Sequence, residues 1–179
     1  MWRKFKLFFR EHPRKRRINM CKEKDYEYLL HAFRIREEIG FINLDEWDIL
    51  QLKCGEAVFL YESPLAASAE EAETMMRQAA KKMAPKTGRV VLLSMVQIIA
   101  SYDMKLDAIE AAIHQLPEPF REKMIFGTRF CDAHKQKGIR FVMAAAEGKH
   151  GSNPFCMDCS LETPALGKSE DSDGGAIEM

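Results

Sequence analysis

The sequence predicts an α/β fold: a two-layer domain in which a mixed four-stranded sheet packs against two helices, preceded by a helix-loop-helix. The first observation is that segments with the apolar spacing of a helix alternate with short apolar runs of strand length. The second concerns the connections between these segments. A helix between consecutive strands favours parallel pairing, whereas a short polar loop between the last two strands is typical of a hairpin.

The helical segments begin at residues that commonly cap helices. Asp45 precedes a short helix that ends near Lys53, and Ser68-x-x-Glu71 has the pattern of a capping box. Asp103 is placed to cap a further helix. The predicted helices span 24–38, 46–53, 69–83 and 104–116, the last of them turning Leu106, Ile109, Ile113 and Leu116 inward.

Four apolar runs predict strands. The run Val90–Val96 is almost without polar residues, which is typical of a strand that is buried on both faces or central in its sheet. The other runs are shorter or more mixed and end at Pro, Gly or polar residues. The predicted strands span 57–61, 90–96, 123–130 and 139–145.

Formal charge is balanced over the whole chain but not along it. The 179 residues include 27 Lys and Arg against 27 Asp and Glu. Residues 1–17 hold eight cations and one anion, a formal charge of +7, whereas the segment from Glu162 onward holds five anions and one cation, a charge of −4. We therefore divide the chain into a basic amphipathic arm (1–22), a folded domain (23–147) and an acidic tail (148–179) that we expect to be disordered.

The basic arm also contains aromatic side chains. On a helix, Trp2, Phe5 and Phe9 fall near one face, with cations on the others. Such a segment suits an anionic lipid surface or a phosphate backbone, and a solvated, frayed terminus is the structural alternative. Nucleic acid is the less favoured partner because no recognised nucleic-acid motif follows. The candidate surface-binding residues are Trp2, Arg3, Lys4, Phe5, Lys6, Phe9 and Arg10.

The five cysteines indicate reduced thiols rather than a disulfide framework. An odd number of cysteines without a secretory signal is typical of a cytosolic protein. Cys156-x-x-Cys159 forms only half of a zinc site, and no second pair of ligands stands at the usual spacing. We therefore expect no metal and no other cofactor, with Cys156 and Cys159 as the only candidate ligands.

The sequence contains no nucleotide-binding or hydrolase motif. Neither Gly-x-x-x-x-Gly-Lys-Ser/Thr nor Gly-x-Gly-x-x-Gly is present, and Gly-x-Ser-x-Gly is absent as well. The five histidines are scattered, and no pair stands at the i, i+4 spacing of a helix. We therefore expect the chain to have no enzymatic activity of its own.

One polar constellation lies in the loop before the second helix. Asn43, Asp45 and Asp48 form the pattern Asn-x-Asp-x-x-Asp. Carboxylates at such a position can orient a water molecule or hold a cation when a phosphate is brought close. The structural interpretation is that Asp45 is a helix cap, and the local sequence alone favours this interpretation.

Residues 24–146 resemble the C-terminal half of FtsZ, the tubulin-like bacterial cell-division GTPase. The resemblance rests on the order of several short motifs along about two thirds of the chain. The motifs are Asn43-x-Asp45-x-x-Asp48, Gly55–Phe59, Ala69-Glu70-Glu71-Ala72, Arg89–Val96, Asp103–Glu110, Ile125-Phe126-Gly127-Thr128 and Ile139–Ala145. The family's N-terminal nucleotide-binding domain has no counterpart in this sequence.

The resemblance implies how such a chain would act. FtsZ filaments grow head to tail, and the Asn/Asp loop of one subunit completes the GTP site of the next. A chain with the loop face but without the nucleotide face would add to a filament and then accept no further subunit. The implied function is a non-GTP-binding, FtsZ-like protein that caps or modulates cell-division filaments, with Asn43, Asp45 and Asp48 acting in trans on a partner GTPase.

The resemblance also implies a partner and a location. The partner is an FtsZ-type GTPase or another bacterial cell-division protein, and the location is the cytoplasm or, through the arm, the inner membrane surface. Two alternatives stay open. The domain is an adaptor for a membrane or a nucleic acid that has left filaments, or it is one chain of a split GTPase whose nucleotide domain is a separate protein.

Overall fold

The computed structural model describes residues 14–35, 41–102, 105–130 and 138–149. Its elements in chain order are β1 (Arg14–Ile18), α1 (Glu23–Ala32), α2 (Glu46–Gln51), β2 (Ala57–Glu62), α3 (Ala69–Met83), β3 (Arg89–Ala100), α4 (Leu106–His114), α5 (Glu118–Arg121), β4 (Met124–Phe130) and β5 (Ile139–Lys149). A 3₁₀ turn at Leu52–Cys54 follows α2. In the part of the chain described, no helix is both long enough and apolar enough to cross a membrane.

The strands form one mixed sheet in the order β1-β2-β5-β3-β4. β3 and β4 are parallel neighbours, as the sequence predicts for strands joined by helices. The other neighbouring strands are antiparallel. The predicted hairpin of the last two strands is wrong, because β3 lies between β4 and β5. The eleven residues of β5 are almost all buried, so this strand is at the centre of the sheet and pairs on both sides.

A fifth strand, β1, comes from the segment predicted to be a basic arm. It pairs antiparallel with β2, with Arg14 opposite Glu62 and Ile18 opposite Val58. Ile18 is buried in the core, whereas Arg17 is exposed. The prediction of four strands missed β1 because its run of cations is typical of a solvated segment, although charged residues are common on edge strands.

Helices cover both faces of the sheet, so the domain has three layers rather than the predicted two. α3, α4 and α5 pack on one face, where Phe141 and Met143 of β5 point. α1, α2 and the 3₁₀ turn pack on the other face, where Val142 and Ala144 point. The predicted helix-loop-helix therefore forms the third layer. Successive β5 side chains are apolar on opposite faces, and both faces have to be removed from water.

Two helix starts confirm the sequence signals. Asp45 is the N-cap of α2, where its side chain accepts a hydrogen bond from the backbone N–H of Asp48. Ser68 is the N-cap of α3, and its hydroxyl accepts from the backbone N–H of Glu71. Most of the predicted apolar stripe of α3 is buried, whereas Ala69 and Met75 are partly buried. The buried residues are Ala72, Met76, Ala79, Ala80 and Met83.

Two helices differ from their predicted bounds. α1 ends at Ala32, six residues before the predicted end, and Arg34 follows with a φ of 53° in the left-handed region. α4 begins at Leu106, whose side chain is 51% exposed although the spacing predicted that it faces the core. A residue in the first turn of a helix lies beyond the packed surface when the helix is anchored by its later turns. The N-cap of α4 is Lys105 rather than the predicted Asp103, which lies outside the described residues.

Several other predicted features lie outside the described residues. These are the arm residues Trp2, Arg3, Lys4, Phe5, Lys6, Phe9 and Arg10, the cysteines Cys156 and Cys159, and the tail beyond Lys149. β5 itself runs through Lys149, so the strand continues past the predicted domain boundary at residue 147.

Candidate functional site

The loop that carries Asn43 is attached to the edge strand β4. The backbone N–H groups of Phe41 and Ile42 donate to the carbonyl oxygen of Thr128 at 3.0 and 3.2 Å. In return, the N–H of Thr128 donates to the carbonyl oxygen of Ile42 at 2.9 Å. These bonds form one isolated antiparallel bridge between Ile42 and Thr128. The loop therefore continues the sheet beyond β4 for a single residue pair.

A glycine in β4 permits this close approach. A Cβ atom at Gly127 would stand 2.8 Å from Cγ of Leu44, 2.7 Å from Oε1 of Gln97 and 3.1 Å from the carbonyl oxygen of Ile42. Leu44 is buried and packs in the same core as α1 and α2. Leu44 thus holds the inner side of the loop in the core. It packs against Gly127, where a side chain would overlap with its neighbours.

A reciprocal capping box holds the far end of the loop. The N–H of Asp48 donates to Oδ1 of Asp45 at 2.9 Å, and the N–H of Asp45 donates to Oδ2 of Asp48 at 2.9 Å. Each bond satisfies a backbone donor that the helix leaves without an internal partner. Both carboxylates also lie in the favourable field at the helix N-terminus. The structural role of Asp45 that the local sequence favours is therefore confirmed, and Asp48 shares it.

The structure brings all three predicted loop residues to one surface. Asn43 and Asp45 are exposed, and Asp48 is partly buried. The capping box uses one oxygen of each carboxylate, and every carboxylate has a second oxygen with acceptor capacity. The loop is therefore fixed in position at both ends while polar groups of Asn43 and the two aspartates face solvent.

Exposed aromatic side chains flank these polar groups. Phe41 is 67% exposed and Trp47 is 62% exposed, each within a few residues of Asn43. Large apolar side chains that stay in water are informative when they gather at one place. The sequence contains both residues in the stretch of interest, but a core aromatic and a surface aromatic look the same until the packing is known. These two residues were therefore not predicted as part of the site.

The aromatic surface continues from the loop to the end of β4. The ring of Phe41 meets the ring of Phe130 edge to face, with 6.5 Å between centroids. Tyr102 stacks on the same Phe130 ring at 5.9 Å, and its side chain is 67% exposed. We call Phe41, Trp47, Tyr102 and Phe130, together with Asn43, Asp45 and Asp48, the loop face. An aromatic patch with a polar centre has the composition of a protein-binding surface.

The described residues show no metal centre. Among them, no group of three or more His, Cys, Asp or Glu side chains could hold a metal ion. In the part of the chain that the structure describes, Cys21 and Cys54 are not joined in a disulfide. The candidate ligands Cys156 and Cys159 are not among the described residues, so the prediction about them is not tested.

Among the described residues, one buried carboxyl lies at the opposite end of the sheet from the loop. Glu147 of β5 is 2% exposed. Burial raises the pKa of this carboxyl, and the charges of Lys15, Arg89, Lys86 and Arg17 act against that rise. Arg89 begins β3 opposite Lys149 at the end of β5, and Lys86 lies just before β3, so positive charge gathers at this end of the two strands.

Neither a protein-family model nor a curated protein matches the sequence of this chain.

Proposed function

We propose that this chain is an FtsZ-like protein without a nucleotide-binding domain, which associates with tubulin-like cell-division filaments through its loop face and caps or modulates their assembly. The support comes from two of the motifs that resemble FtsZ and that are far apart in the sequence. The Asn43 loop and the Ile125-Phe126-Gly127-Thr128 strand meet in space, where Gly127 makes room for Leu44 and Thr128 bonds to Ile42. This meeting is the observation that carries the proposal.

The order of elements also supports the proposal. A helix, the Asn/Asp loop and a short helix precede the alternation of strands and helices that the resemblance implies. The loop lies at a sheet edge, where a neighbouring subunit can approach it without displacing any part of the core. In this interpretation the aromatic side chains of the loop face supply apolar contact area, and Asn43 and the aspartates supply polar recognition.

The absence of a nucleotide-binding motif gives the proposed action its direction. Head-to-tail assembly continues only when each subunit presents both complementary faces. A subunit with the loop face alone docks on the nucleotide face of a filament end and offers no such face in return. Growth at that end then stops, and the cap is most effective well below one copy per filament subunit.

Asp45 and Asp48 also lead us to propose an effect on the hydrolysis of the filament's GTP. Their second carboxylate oxygens are placed to accept a hydrogen bond from water, and water orientation beside a γ-phosphate accelerates hydrolysis. The docked chain would therefore complete the GTP site at the capped end. It would do so without binding the nucleotide by itself.

The test is to mix the full chain with the full-length FtsZ-type GTPase of the same cell and to measure sedimented polymer and GTP turnover. We expect sub-stoichiometric amounts of the chain to change both. No change in either quantity at equimolar protein would refute the proposal. GTP turnover that requires a separate nucleotide-domain chain, and no filaments, would favour the split GTPase instead.

Two substitutions separate the helix cap from any function of the carboxylate. Asp45→Ser keeps an efficient N-cap but removes the carboxylate, whereas Asp45→Ala removes both. Ser68→Ala is the matched control, because it deletes the cap of α3 away from the loop face. If the carboxylate acts on the partner's GTP, Asp45→Ser lowers the effect on GTP turnover while Ser68→Ala leaves it in place.

One observation favours the adaptor as a second candidate function. Two of the cations near Glu147, Lys15 and Arg17, lie on β1, and the basic segment 1–13 leads directly into β1 in the sequence. A chain with no link to filaments would bind an anionic surface but leave FtsZ assembly unchanged. Liposome binding without any effect on polymer mass is the result that would favour the adaptor.

A further inference from the structure

Six cations gather on the sheet face that also carries α3, with two of them on β1 and two at the paired ends of β3 and β5. We call this surface the basic edge. Lys15 and Arg17 point to this face from β1, and Arg89 and Lys149 are paired residues on β3 and β5. The remaining two cations lie on α3 and in the turn that follows it. The basic edge consists of Lys15, Arg17, Lys82, Lys86, Arg89 and Lys149.

The side-chain contacts show that these cations form one surface. Nζ of Lys15 donates to the carbonyl oxygen of Lys82 at 2.5 Å, which joins β1 to the end of α3. Lys15, Arg17, Lys86 and Arg89 are all near enough to Glu147 for their charges to oppose the rise of its pKa. The five lysine and arginine side chains other than Arg89 are exposed, and Arg89 is about one third exposed.

Little negative charge opposes these cations. Among the described residues near them, Glu56 is paired with Arg89 at 3.0 Å, and Glu147 is buried beneath the surface. A carboxylate whose pKa is raised by burial offsets less positive charge at the surface than an exposed one. The basic edge therefore has a net positive potential that the overall charge of zero conceals.

We propose that the basic edge docks on an anionic phospholipid surface, so that β1 and the turn after α3 lie against the headgroups. This proposal does not rest on the filament proposal, because it uses none of the loop-face residues. The sequence adds an independent reason, since the segment that precedes β1 contains Trp2, Phe5 and Phe9 among further cations. Aromatic side chains beside cations suit the boundary between headgroups and acyl chains.

The packing beneath the basic edge favours lipid over nucleic acid. Proteins that bind single-stranded nucleic acid usually offer aromatic faces for base stacking. Here Lys15 covers the ring of Phe59 at 4.4 Å from its centroid, and Lys82 lies over the ring of the buried Tyr61 at 5.7 Å. A cation therefore covers one face of each of these two rings. Ammonium and guanidinium groups that leave no aromatic ring uncovered beneath them suit a layer of phosphate headgroups.

The sheet order also sets the orientation of the docked domain. β1 is one edge of the sheet, and the Asn43 loop is bound to β4 at the other edge. Four strand spacings, roughly 19 Å, separate β1 from β4. Arg89 lies nine residues before Ile98, the partner of Thr128, which is roughly 30 Å along β3. A domain that lies on a membrane by its basic edge therefore presents the loop face away from the lipid.

The test measures co-sedimentation of the full chain with vesicles of phosphatidylglycerol and phosphatidylcholine, and with vesicles of phosphatidylcholine alone. The basic-edge variant is Arg17→Gln/Lys86→Gln/Lys149→Gln. The matched control is Lys53→Gln/Lys105→Gln/Lys123→Gln, which removes the same charge from exposed sites elsewhere. Circular dichroism establishes that each variant is folded.

We expect binding to anionic vesicles that weakens with added salt. Because each cation near an anionic leaflet contributes about five-fold in partitioning, the basic-edge variant should bind on the order of 100-fold more weakly. The control variant should lose far less of its binding to anionic vesicles. Equal losses for both variants, or equal binding to neutral vesicles, would overturn the proposal.

Two further measurements on the unmodified chain keep the proposal open to refutation if a variant fails to fold. Hydrogen exchange in the presence of anionic vesicles should slow at β1 and around Lys86, and should not change at Asn43. Protection at the loop face instead would contradict the proposed orientation. Displacement of bound vesicles by a short duplex or single-stranded oligonucleotide at equal phosphate concentration would assign the surface to nucleic acid.

Discussion

Gly127 and Leu44 are 83 positions apart in the sequence, yet a Cβ atom on the glycine would stand 2.8 Å from Cγ of the leucine. The two residues join the Asn43 loop to the edge strand. The bridge between Ile42 and Thr128 lies beside this contact. The position of the loop therefore depends on a residue that has no side chain.

Gly127→Ala should loosen the loop. The added methyl group overlaps with Leu44 and Gln97, and overpacking of this kind costs about 1–3 kcal/mol in the free energy of unfolding. Urea denaturation measures that cost. Amide hydrogen exchange should also become faster at Ile42 and Thr128, whose N–H groups form the bridge.

Gly88→Ala is the control for a glycine whose role is purely conformational. Gly88 has a φ of 80°, and a Cβ atom there would meet nothing within 4 Å. Gly88→Ala should strain the turn before β3 and leave the Asn43 loop in place. If Gly88→Ala changes exchange at Ile42 as much as Gly127→Ala does, the proposed local contact is not what holds the loop.

Asp45→Ala and Asp45→Ser should differ in stability. Loss of the N-cap in Asp45→Ala should lower the free energy of unfolding by about 1 kcal/mol, whereas serine retains a cap for the N–H of Asp48. Equilibrium unfolding of both variants in urea tests this. Equal destabilisation by the two substitutions would mean that the carboxylate charge, not the cap, stabilises α2.

Glu147→Gln should stabilise the protein at neutral pH. Because burial raises the folded-state pKa of this carboxyl above its usual value, ionisation opposes folding. The unfavourable contribution is absent below the unfolded-state pKa and develops as the pH rises through the folded-state pKa. The gain from Glu147→Gln should therefore be present at pH 7 and vanish in acid.

The measurement for Glu147 is the free energy of unfolding as a function of pH. Glu122→Gln, at an exposed site, is the matched control and should give no comparable gain. A loss of stability at pH 7 in Glu147→Gln would show instead that the attraction between this carboxylate and the nearby cations stabilises the folded protein. That result would also weaken the account of the basic edge, which treats Glu147 as a poor counter-charge.

Phe41→Ala and Trp47→Ala test the loop face directly. Both side chains are exposed, so their removal should change the free energy of unfolding by less than about 1 kcal/mol. If they contact the filament, each substitution should weaken the effect on polymer mass on the order of tenfold, as expected for aromatic anchors. Sedimentation with increasing amounts of each variant measures this.

A matched exposed position away from the loop face provides the comparison. Leu106→Ala removes an apolar side chain that is 51% exposed at the start of α4. It should leave the effect on filaments unchanged. If Leu106→Ala weakens that effect as much as Phe41→Ala does, the contact surface is not the one proposed.

The local elements could largely be predicted from the sequence. The caps at Asp45 and Ser68 and the apolar stripe of α3 depend on residues that are neighbours along one turn or one face of a helix. The long apolar run that becomes β3 was likewise predicted to be buried on both faces or central, and it is buried. The local sequence around Asn43 favours a loop followed by a helix cap at Asp45, and Asp45 is the N-cap of α2.

The sequence by itself therefore determined the α/β class, the helix caps and the polar residues of the loop, because each depends on short-range periodicity or on one hydrogen bond to a near neighbour. Only the tertiary structure decided that Arg14–Ile18 is a fifth strand, that β3 separates β4 from β5, and that helices cover both faces. Strand pairing and layer formation join segments that are far apart in the chain, so no local pattern specifies them. The same reason applies to Gly127 beneath Leu44 and to the exposed rings of Phe41 and Trp47, whose surroundings exist only after the chain has folded.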